Sequence, residues 1–441
     1  MSSYAILPNS RGDPDQIVYT ATVINNNTST AGVGPDPNAK FTETRDTPIL
    51  RDVNDYELCV LKCSIDGGGK SLPILIPQIV KGTNIAKTIY TITLSVAFWN
   101  STTSAVSYAQ SQKVNILWVP ENLDPGTPIP TTATPTQKDS PYYYLYTYNH
   151  FVGLVNTALL TAYGQVQAAA QTFAGQSGYT LLNACPQLQY DEVTKLFSFY
   201  TSTLGTAGLF DSSNPPAFTG LPTTTGQESM FIGYNYDFEG LFTNFEANYY
   251  GDNTVAWAGG ALSGTSGTSS VLYFPENVLV VKNKSGTNIQ NQINPATGAP
   301  YSTPVLNYVT TQDYNSTGSL WSPVSAIVLT TQLIPIRNEY TSSPVALGKS
   351  NVGQGTPGSS SFQTILLDFG EQLPYPEEFR GKLTFTPLAE FLPISMTTSH
   401  QEVKNVDFQV QWRNRLTNQL TPLPLYNLGS VSVRLLFRRK K

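Results

Sequence analysis

Val406-Asp407-Phe408-Gln409-Val410-Gln411-Trp412 alternates apolar and polar side chains at every position. Such a period of two is typical of a β-strand with one face on a core, because successive side chains point to opposite sides of a sheet. The same alternation returns near the end of the chain, in Val431–Phe437, where the odd-numbered residues are apolar and Arg434 lies on the other face. Both segments predict half-buried strands.

Similar strand signals are concentrated in the first and last quarters of the chain. Tyr90–Phe98 alternates in the same way, and Tyr56–Ile65 predicts a more deeply buried strand. We expect strands from these two quarters to form one sandwich. The remaining candidates are Leu72–Ile79, Leu117–Val119, Val193–Thr201, Met230–Tyr236, Val324–Leu333, Phe362–Phe369 and Lys382–Phe385.

One amphipathic helix is predicted in the middle of the chain, near residues 149–172. A Pro/Thr-rich connector from Glu121 to Ser140 precedes it, and Asn149 is the expected N-cap. Its apolar stripe predicts packing on a core, since the Lys and Arg of a membrane-surface helix are absent from the polar face. The stripe consists of Phe151, Leu154, Val155, Ala158, Leu159, Ala162 and Val166.

The composition argues against an enzyme. Charged residues make up 12% of the 441 residues, about half the usual share, and the two histidines, His150 and His400, are far apart in sequence. No catalytic triad can be assembled from them, and we expect no catalytic residue and no cofactor. The formal net charge of −5 does not suggest broad affinity for nucleic acid. With 31 Pro and 33 Gly, the chain has the composition of a β-sandwich or barrel.

The cysteines predict neither a disulfide nor a metal site. Cys59 and Cys63 lie four apart on one predicted strand, which would put them on one face roughly 13 Å apart, and Cys185 is distant. No His or Cys follows at ligand spacing, so buried structural thiols in a reducing compartment are expected. No stretch approaches the roughly 18 consecutive apolar residues that a membrane span requires, so we expect no transmembrane segment.

Two short charged motifs are candidate interaction sites. Arg11-Gly12-Asp13 is the integrin-binding tripeptide, but three-residue matches often arise by chance. Arg438, Arg439, Lys440 and Lys441 form a basic cluster directly after the last predicted strand. That cluster has two interpretations: an ordinary solvated tail, or a short arm that faces packaged DNA or serves in nuclear import.

Several blocks, taken in order, cover most of the chain. They are Thr47–Tyr56, Leu72–Pro77, Tyr142–Ala162, Ser322–Val328, Ile365–Phe369, Val406–Trp412 and Ser430–Lys441. This succession resembles the minor capsid (penton) proteins of virophages and polinton-like viruses. The resemblance implies a jelly-roll protein that forms homopentamers at the icosahedral vertices of a virion, among trimers of a double-jelly-roll major capsid protein. It implies no catalytic residue.

The sequence thus predicts an all-β jelly-roll sandwich with an inserted, mostly-β region that carries one amphipathic helix. The expected division is residues 1–140 and 316–441 for the jelly roll and 141–315 for the insertion. The expected function is structural, as a penton of a capsid assembled inside the host cell. Two alternatives stay open: a double-jelly-roll major capsid protein that forms trimers, and a carbohydrate-binding or hydrolysing β-protein.

Overall fold

The protein is described by a computed structural model. It describes residues 14–25, 38–66, 72–100, 105–121, 129–132, 140–173, 185–201, 230–242, 244–245, 247–249, 267–269, 277–279, 282–283, 308–314, 321–336, 364–369, 382–386, 393–397, 400–415, 419–425 and 428–440.

The described residues form strands joined in antiparallel pairs and two α-helices. The helices are α1 (Tyr148–Phe173) and α2 (Tyr236–Glu239). The strands are β1 (Gln16–Ile24), β2 (Lys40–Thr44), β3 (Tyr56–Asp66), β4 (Lys87–Asn100), β5 (Ala105–Gln110), β6 (Val114–Leu117), β7 (Gln187–Asp191), β8 (Leu196–Thr201), β9 (Met230–Tyr234), β10 (Ala247–Tyr249), β11 (Gly267–Ser269), β12 (Asn277–Leu279), β13 (Lys282–Asn283), β14 (Tyr308–Thr311), β15 (Val324–Thr331), β16 (Thr364–Asp368), β17 (Lys382–Phe385), β18 (Ile394–Ser395), β19 (Asn405–Asn414), β20 (Leu420–Pro422) and β21 (Ser430–Arg439).

Two compact units divide the chain, and the first is a jelly roll. Its described residues run up to Leu75 and resume at Ser322. One of its sheets has the order β1-β21-β3-β17, with β18 also on β3, and the other has the order β16-β15-β19-β2, with β20 on β19. Numbered along the unit, the eight principal strands therefore follow the orders 1-8-3-6 and 5-4-7-2. These are the two four-stranded sheets that a pair of Greek keys produces, which confirms the predicted jelly-roll sandwich.

The alternating residues that predicted the strands form the core between the two sheets. On β21, Val431, Val433, Leu435 and Phe437 are all buried, and Tyr19 of β1 lies opposite Leu435. The ring of Tyr19 meets that of Phe41 edge-on at 6.4 Å between centroids, and Phe41 stacks on Phe408 at 5.3 Å. Since Tyr19 belongs to one sheet and the two phenylalanines to the other, these rings join the sheets.

β19 is buried on both faces rather than half-buried as predicted. On its polar face the burial of Asp407, which is 5% exposed, is tolerated because the carboxylate accepts hydrogen bonds from the end of β15 and the turn after it. Its Oδ1 accepts from Thr331 Oγ1 at 2.5 Å and from the backbone amide of Leu333 at 2.8 Å. The amide of Gln332 donates to Oδ2 at 3.0 Å. A buried acid is thus satisfied by hydrogen-bond donors on the neighbouring strand.

The second unit lies between Ile76 and Trp321 in the chain and contains two sheets and both α-helices. The seven-stranded sheet has the order β10-β12-β9-β4-β5-β11, with β6 on β4, and the four-stranded sheet has the order β13-β14-β8-β7. We therefore propose residues 76–321 as the insertion, with an earlier start than the predicted 141–315. Leu72–Ile79, predicted as a strand, forms none; Ile79 makes only an isolated bridge with Thr88.

Helix α1 is anchored to the second unit by its apolar stripe and by polar contacts. It begins at Tyr148 rather than after Asn149, because the hydroxyl of Thr147 accepts a hydrogen bond from the amide of His150 and so caps the helix. The amide side chain of Asn156 bonds both backbone groups of Leu188 on β7, at 2.7 and 3.0 Å. Within the described residues, no helix combines the length and hydropathy needed to cross a membrane.

Aromatic residues dominate the core of the second unit. Phe151 of α1, Phe197 of β8, Phe242 and Trp321 contact one another with ring centroids 4.8 to 6.0 Å apart. The tyrosines that precede the helix and Tyr148 at its start are buried too, with Tyr143 and Tyr148 each at most 1% exposed. These rings therefore pack in the core and are not presented for stacking on bases or sugars.

Candidate functional site

Three residues of the C-terminal basic cluster make side-chain contacts within the jelly roll. Arg438 and Arg439 belong to β21, beside the start of β3. Arg438 donates from Nε to Glu57 Oε1 at 2.6 Å and also contacts the same oxygen through Nη2. Arg439 Nη2 lies 3.9 Å from Asp55 Oδ2, and Lys440 Nζ donates to the carbonyl of Asn54 at 2.8 Å. These three cations therefore do not extend as a free tail, while their contact with DNA stays a prediction.

Two of the sequence candidates lie outside the described residues. They are the tripeptide Arg11-Gly12-Asp13 and Lys441 of the basic cluster. A receptor role for the tripeptide stays a prediction.

Each histidine has a local structural contact. His150 lies beside Trp118, with ring centroids 5.3 Å apart, and its Nε2 is 2.7 Å from the carbonyl of Val119. His400 Nδ1 lies 2.6 Å from Asp52 Oδ2, and the other oxygen of this buried carboxylate caps the short 3-10 helix that begins at Val53. In the part of the chain that the structure describes, no three His, Cys, Asp or Glu side chains form a potential metal site.

The cysteines are buried thiols, as predicted, but Cys59 and Cys63 do not share a face. The register of β3 against β21 passes from Lys62–Arg434 to Val60–Leu435, so Leu61 is an extra residue in a bulge. Cys63 is therefore on the core side with Val433, and Cys59 is on the outer side with Leu436. Burial raises the pKa of the Cys63 thiol to about 12, and that of Cys185 to about 12. A bulge of this kind leaves no signal in the hydrophobic pattern.

The outer face of the first sheet carries a pair of charges that could not be predicted from the sequence. Lys62 of β3 and Arg434 of β21 are register partners on this face, and both are exposed. Beside them runs a row of hydroxyl side chains, one on each of four neighbouring strands. The row consists of Thr22, Ser432, Ser64 and Thr384. Without the strand pairing, Lys62 and Arg434, which are 372 positions apart in number, gave no signal as a pair.

Comparisons with known proteins agree with this architecture. The family model described as Sputnik minor capsid protein V18/19 matches residues 17–439. A Sputnik virophage protein, named uncharacterized protein V18, is 30% identical over 126 residues, which cover 27% of this chain and 68% of the relative.

Two solved structures share the fold. A chain in the cryo-EM structure of the Sputnik virophage is 22% identical with a TM-score of 0.64, over 97% of this chain and 98% of that one. The crystal structure of the selenomethionine-labelled mavirus penton protein is 13% identical with a TM-score of 0.51, over 97% of this chain and 100% of that one.

The family assignment confirms the prediction of a structural protein of the virion rather than an enzyme. The family model extends over almost the whole chain, and both the jelly-roll strand order and the fold of the solved structures agree with it. The chain therefore belongs to the Sputnik minor capsid protein V18/19 family.

Proposed function

We propose that this protein is the penton of a virophage-type capsid, a homopentamer at each icosahedral vertex. The observation that carries the proposal is the jelly-roll strand order of the first unit, in a chain whose fold matches that of the mavirus penton protein over its full length. Five copies in a ring make heterologous contacts, in which two different surfaces of each copy meet. Such a ring needs surfaces that can be buried without leaving charged side chains unpaired in the interface.

The edge strand of the first sheet has the character that such a contact requires. β1 contains no charged residue, proline or glycine, and its described pairing is with β21 alone. Val18 and Ile24 on its outer face are 48% and 61% exposed. Uncharged, regular edge strands tend to pair with other chains unless they are covered. We infer that β1 is covered by a neighbour in the assembled capsid.

The major capsid protein is the alternative structural role, with two jelly rolls and a trimeric assembly. The second unit does not support it. Its described strands form sheets of seven and four, in which consecutive strands such as β4 and β5, or β7 and β8, are direct neighbours. Among the eight principal strands of the first unit, β15 and β16 are the single pair of consecutive neighbours, and the other strands interleave early and late parts of the unit. The strand order therefore favours one jelly roll with an insertion.

Contacts with other capsid proteins complete the proposal. A vertex pentamer is surrounded by major capsid trimers, and its inner surface faces the packaged DNA. The scarcity of charge in the chain, 12% of residues, suits the first kind of contact, because interface cores are depleted of charged side chains. The basic residues near the C-terminus were the sequence candidates for the second kind.

The mass of the purified assembly tests the proposal. With a chain mass of 48.0 kDa, a pentamer gives a native mass near 240 kDa and a trimer gives one near 144 kDa. We expect the pentamer. A trimer would favour the major capsid protein, and a stable monomer that binds oligosaccharides would contradict both capsid roles. In a particle image, the chain should occupy the vertices and not the facets.

A further inference from the structure

Two positive charges face each other on the outer side of the first sheet, with no compensating acid among the described residues. Lys62 and Arg434 are direct register partners across β3 and β21, and both side chains are exposed. Neither makes an ion pair or a side-chain hydrogen bond in the described structure. Like charges directly opposite each other destabilise a sheet, so this pair is unfavourable for the isolated fold.

The acids nearest to this pair in the sheet do not neutralise it. Glu57, further along β3, is engaged by Arg438 at 2.6 Å. Asp66, at the other end of β3, is four residues from Lys62, which corresponds to roughly 13 Å along the strand. The two cations therefore form a local positive patch on a chain whose formal net charge is −5.

The hydroxyl row next to the patch adds hydrogen-bond donors. Ser432 is two residues from Arg434 on β21, so their side chains are on the same face roughly 7 Å apart along the strand. Thr22 Oγ1 donates to Ser432 Oγ at 3.2 Å. Because the serine oxygen is the acceptor in that bond, its own proton is available to a ligand. Thr20, the register partner of Arg434 on β1, adds an exposed hydroxyl on the other side.

We propose that this cationic face, formed by Thr20, Lys62, Arg434 and Ser432, binds phosphodiester groups of the packaged nucleic acid. Arg, Lys, Ser and Thr are the side chains that contact phosphate oxygens in protein–DNA complexes. A phosphate placed between Lys62 and Arg434 would relieve their repulsion and accept from a neighbouring hydroxyl. The identity of the partner rests on the proposed function, because a penton presents one surface to the genome.

This assignment differs from the one that the sequence suggested. The C-terminal cations Arg438 and Arg439 face acids of their own chain, whereas Lys62 and Arg434 face none in the part of the chain that the structure describes. A pentamer would present five copies of the pair around one axis, ten charges in all. The avidity of such a ring would compensate for the weakness of a single two-cation contact.

The salt dependence of DNA binding tests the proposal. The probe is a fluorescent 30-base-pair duplex of random sequence, titrated with the full-length protein between about 50 and 200 mM salt. Each phosphate contact contributes about 0.9 to the slope of log K against log salt concentration. The double variant K62Q/R434Q, which removes the contact with one phosphate, should therefore lose a slope of about 0.9 per contacting copy, which corresponds to about a 3.5-fold difference over this salt range. The control is K81Q/K113Q, which removes two other exposed lysines that form no ion pair with any described residue and should keep the wild-type slope.

Three results would overturn the proposal. One is an unchanged slope in K62Q/R434Q, and another is an equal loss in the control, which would indicate diffuse electrostatics. A third is binding of anionic lipid vesicles or of poly-glutamate, but not of the duplex. Native mass measured on the same samples separates this outcome from a failure of the penton proposal: pentamers that ignore DNA contradict only the phosphate site.

Discussion

Arg438 and Glu57 lie directly opposite each other on β21 and β3, and their side chains are joined by a charge-assisted hydrogen bond of 2.6 Å from Nε to Oε1. The arginine side chain is 37% exposed and the glutamate side chain 19%. A cation that appeared in the sequence to belong to a basic tail is therefore a cross-strand partner within the sheet.

This pair predicts a measurable coupling between the two strands. In a double-mutant cycle of R438Q and E57Q, we expect a coupling free energy of about 1 kcal/mol, because the pair is only partly shielded from solvent. Urea denaturation of the four proteins measures it, and the exposed pair Glu402–Lys404 serves as the control, with a coupling of less than about 0.5 kcal/mol. A coupling near zero for Arg438–Glu57 would contradict the prediction.

The strands of the jelly roll could be predicted from the sequence because apolar and polar side chains alternate along them. Val406–Trp412 and Val431–Phe437 are strands in the structure, and the residues on their apolar faces are buried. What could not be predicted depends on which strand lies beside which. The burial of Asp407 follows from the turn after β15, and the bulge at Leu61 follows from the pairing of β3 with β21.

The cationic face was missed for the same reason. Arg434 was recognised as the polar residue of its strand, but Lys62 became its neighbour only through the pairing of β3 with β21. The basic cluster at the C-terminus was visible in the sequence because its members are consecutive. Its acidic partners Asp55 and Glu57 are far away in the chain, so its neutralisation could not be predicted.

We expect a large loss of stability when the side chain of Asp407 is truncated. D407A removes the acceptor for the Thr331 hydroxyl and for the amides of Gln332 and Leu333, and we expect a loss of on the order of 3 kcal/mol in the free energy of unfolding. D407N keeps one acceptor oxygen and should lose about half as much. E402A, at an exposed acid shortly before β19, should change stability by less than about 0.5 kcal/mol. A D407A protein with the urea midpoint of wild type would contradict this role.

The buried thiols predict a loss of stability at alkaline pH. The folded-state pKa values of Cys63 and Cys185 are raised to about 12, whereas an unfolded thiol ionises near 8.5. Between these values the unfolded chain releases protons that the folded chain retains, so rising pH favours unfolding. Each thiol should reduce the unfolding free energy by about 1.4 kcal/mol per pH unit between about pH 9 and 12.

Urea denaturation from pH 8 to pH 10.5 measures this slope. C63A should be less stable than wild type at pH 8, because of the cavity it leaves, but its slope above pH 9 should be shallower by one thiol. Well below pH 8.5 both thiols stay protonated in the folded and the unfolded chain, so their ionisation should not change the stability there. A slope equal to that of wild type would show that Cys63 ionises in the folded state as readily as in the unfolded state.

We expect the side chain of Asn156 to hold helix α1 to β7. N156A removes both hydrogen bonds to the backbone of Leu188 and should cost about 2 kcal/mol. N156D keeps the acceptor but brings a carboxylate oxygen against the Leu188 carbonyl, so it should be no better. T157A, at an exposed position whose hydroxyl bonds only within the helix, is the control. Hydrogen exchange at the Leu188 amide should accelerate in N156A but not in T157A.

Lys62 on the cationic face should lower the stability of the fold and strengthen the binding of DNA. K62E replaces a repulsive cross-strand pair with an attractive one between the introduced carboxylate and Arg434, so the free energy of unfolding should rise by about 1 kcal/mol at low salt. The gain should shrink at 1 M salt, where exposed charges are screened beyond about 3 Å. K40E is the matched control, because Lys40 is an exposed lysine whose register partner Gln409 is uncharged.

If K62E is more stable and also loses the salt-dependent binding of duplex DNA, then the like-charge pair is retained for its ligand and not for the fold. If K62E is less stable than wild type, the two side chains do not repel each other, and the argument for an anion between them fails.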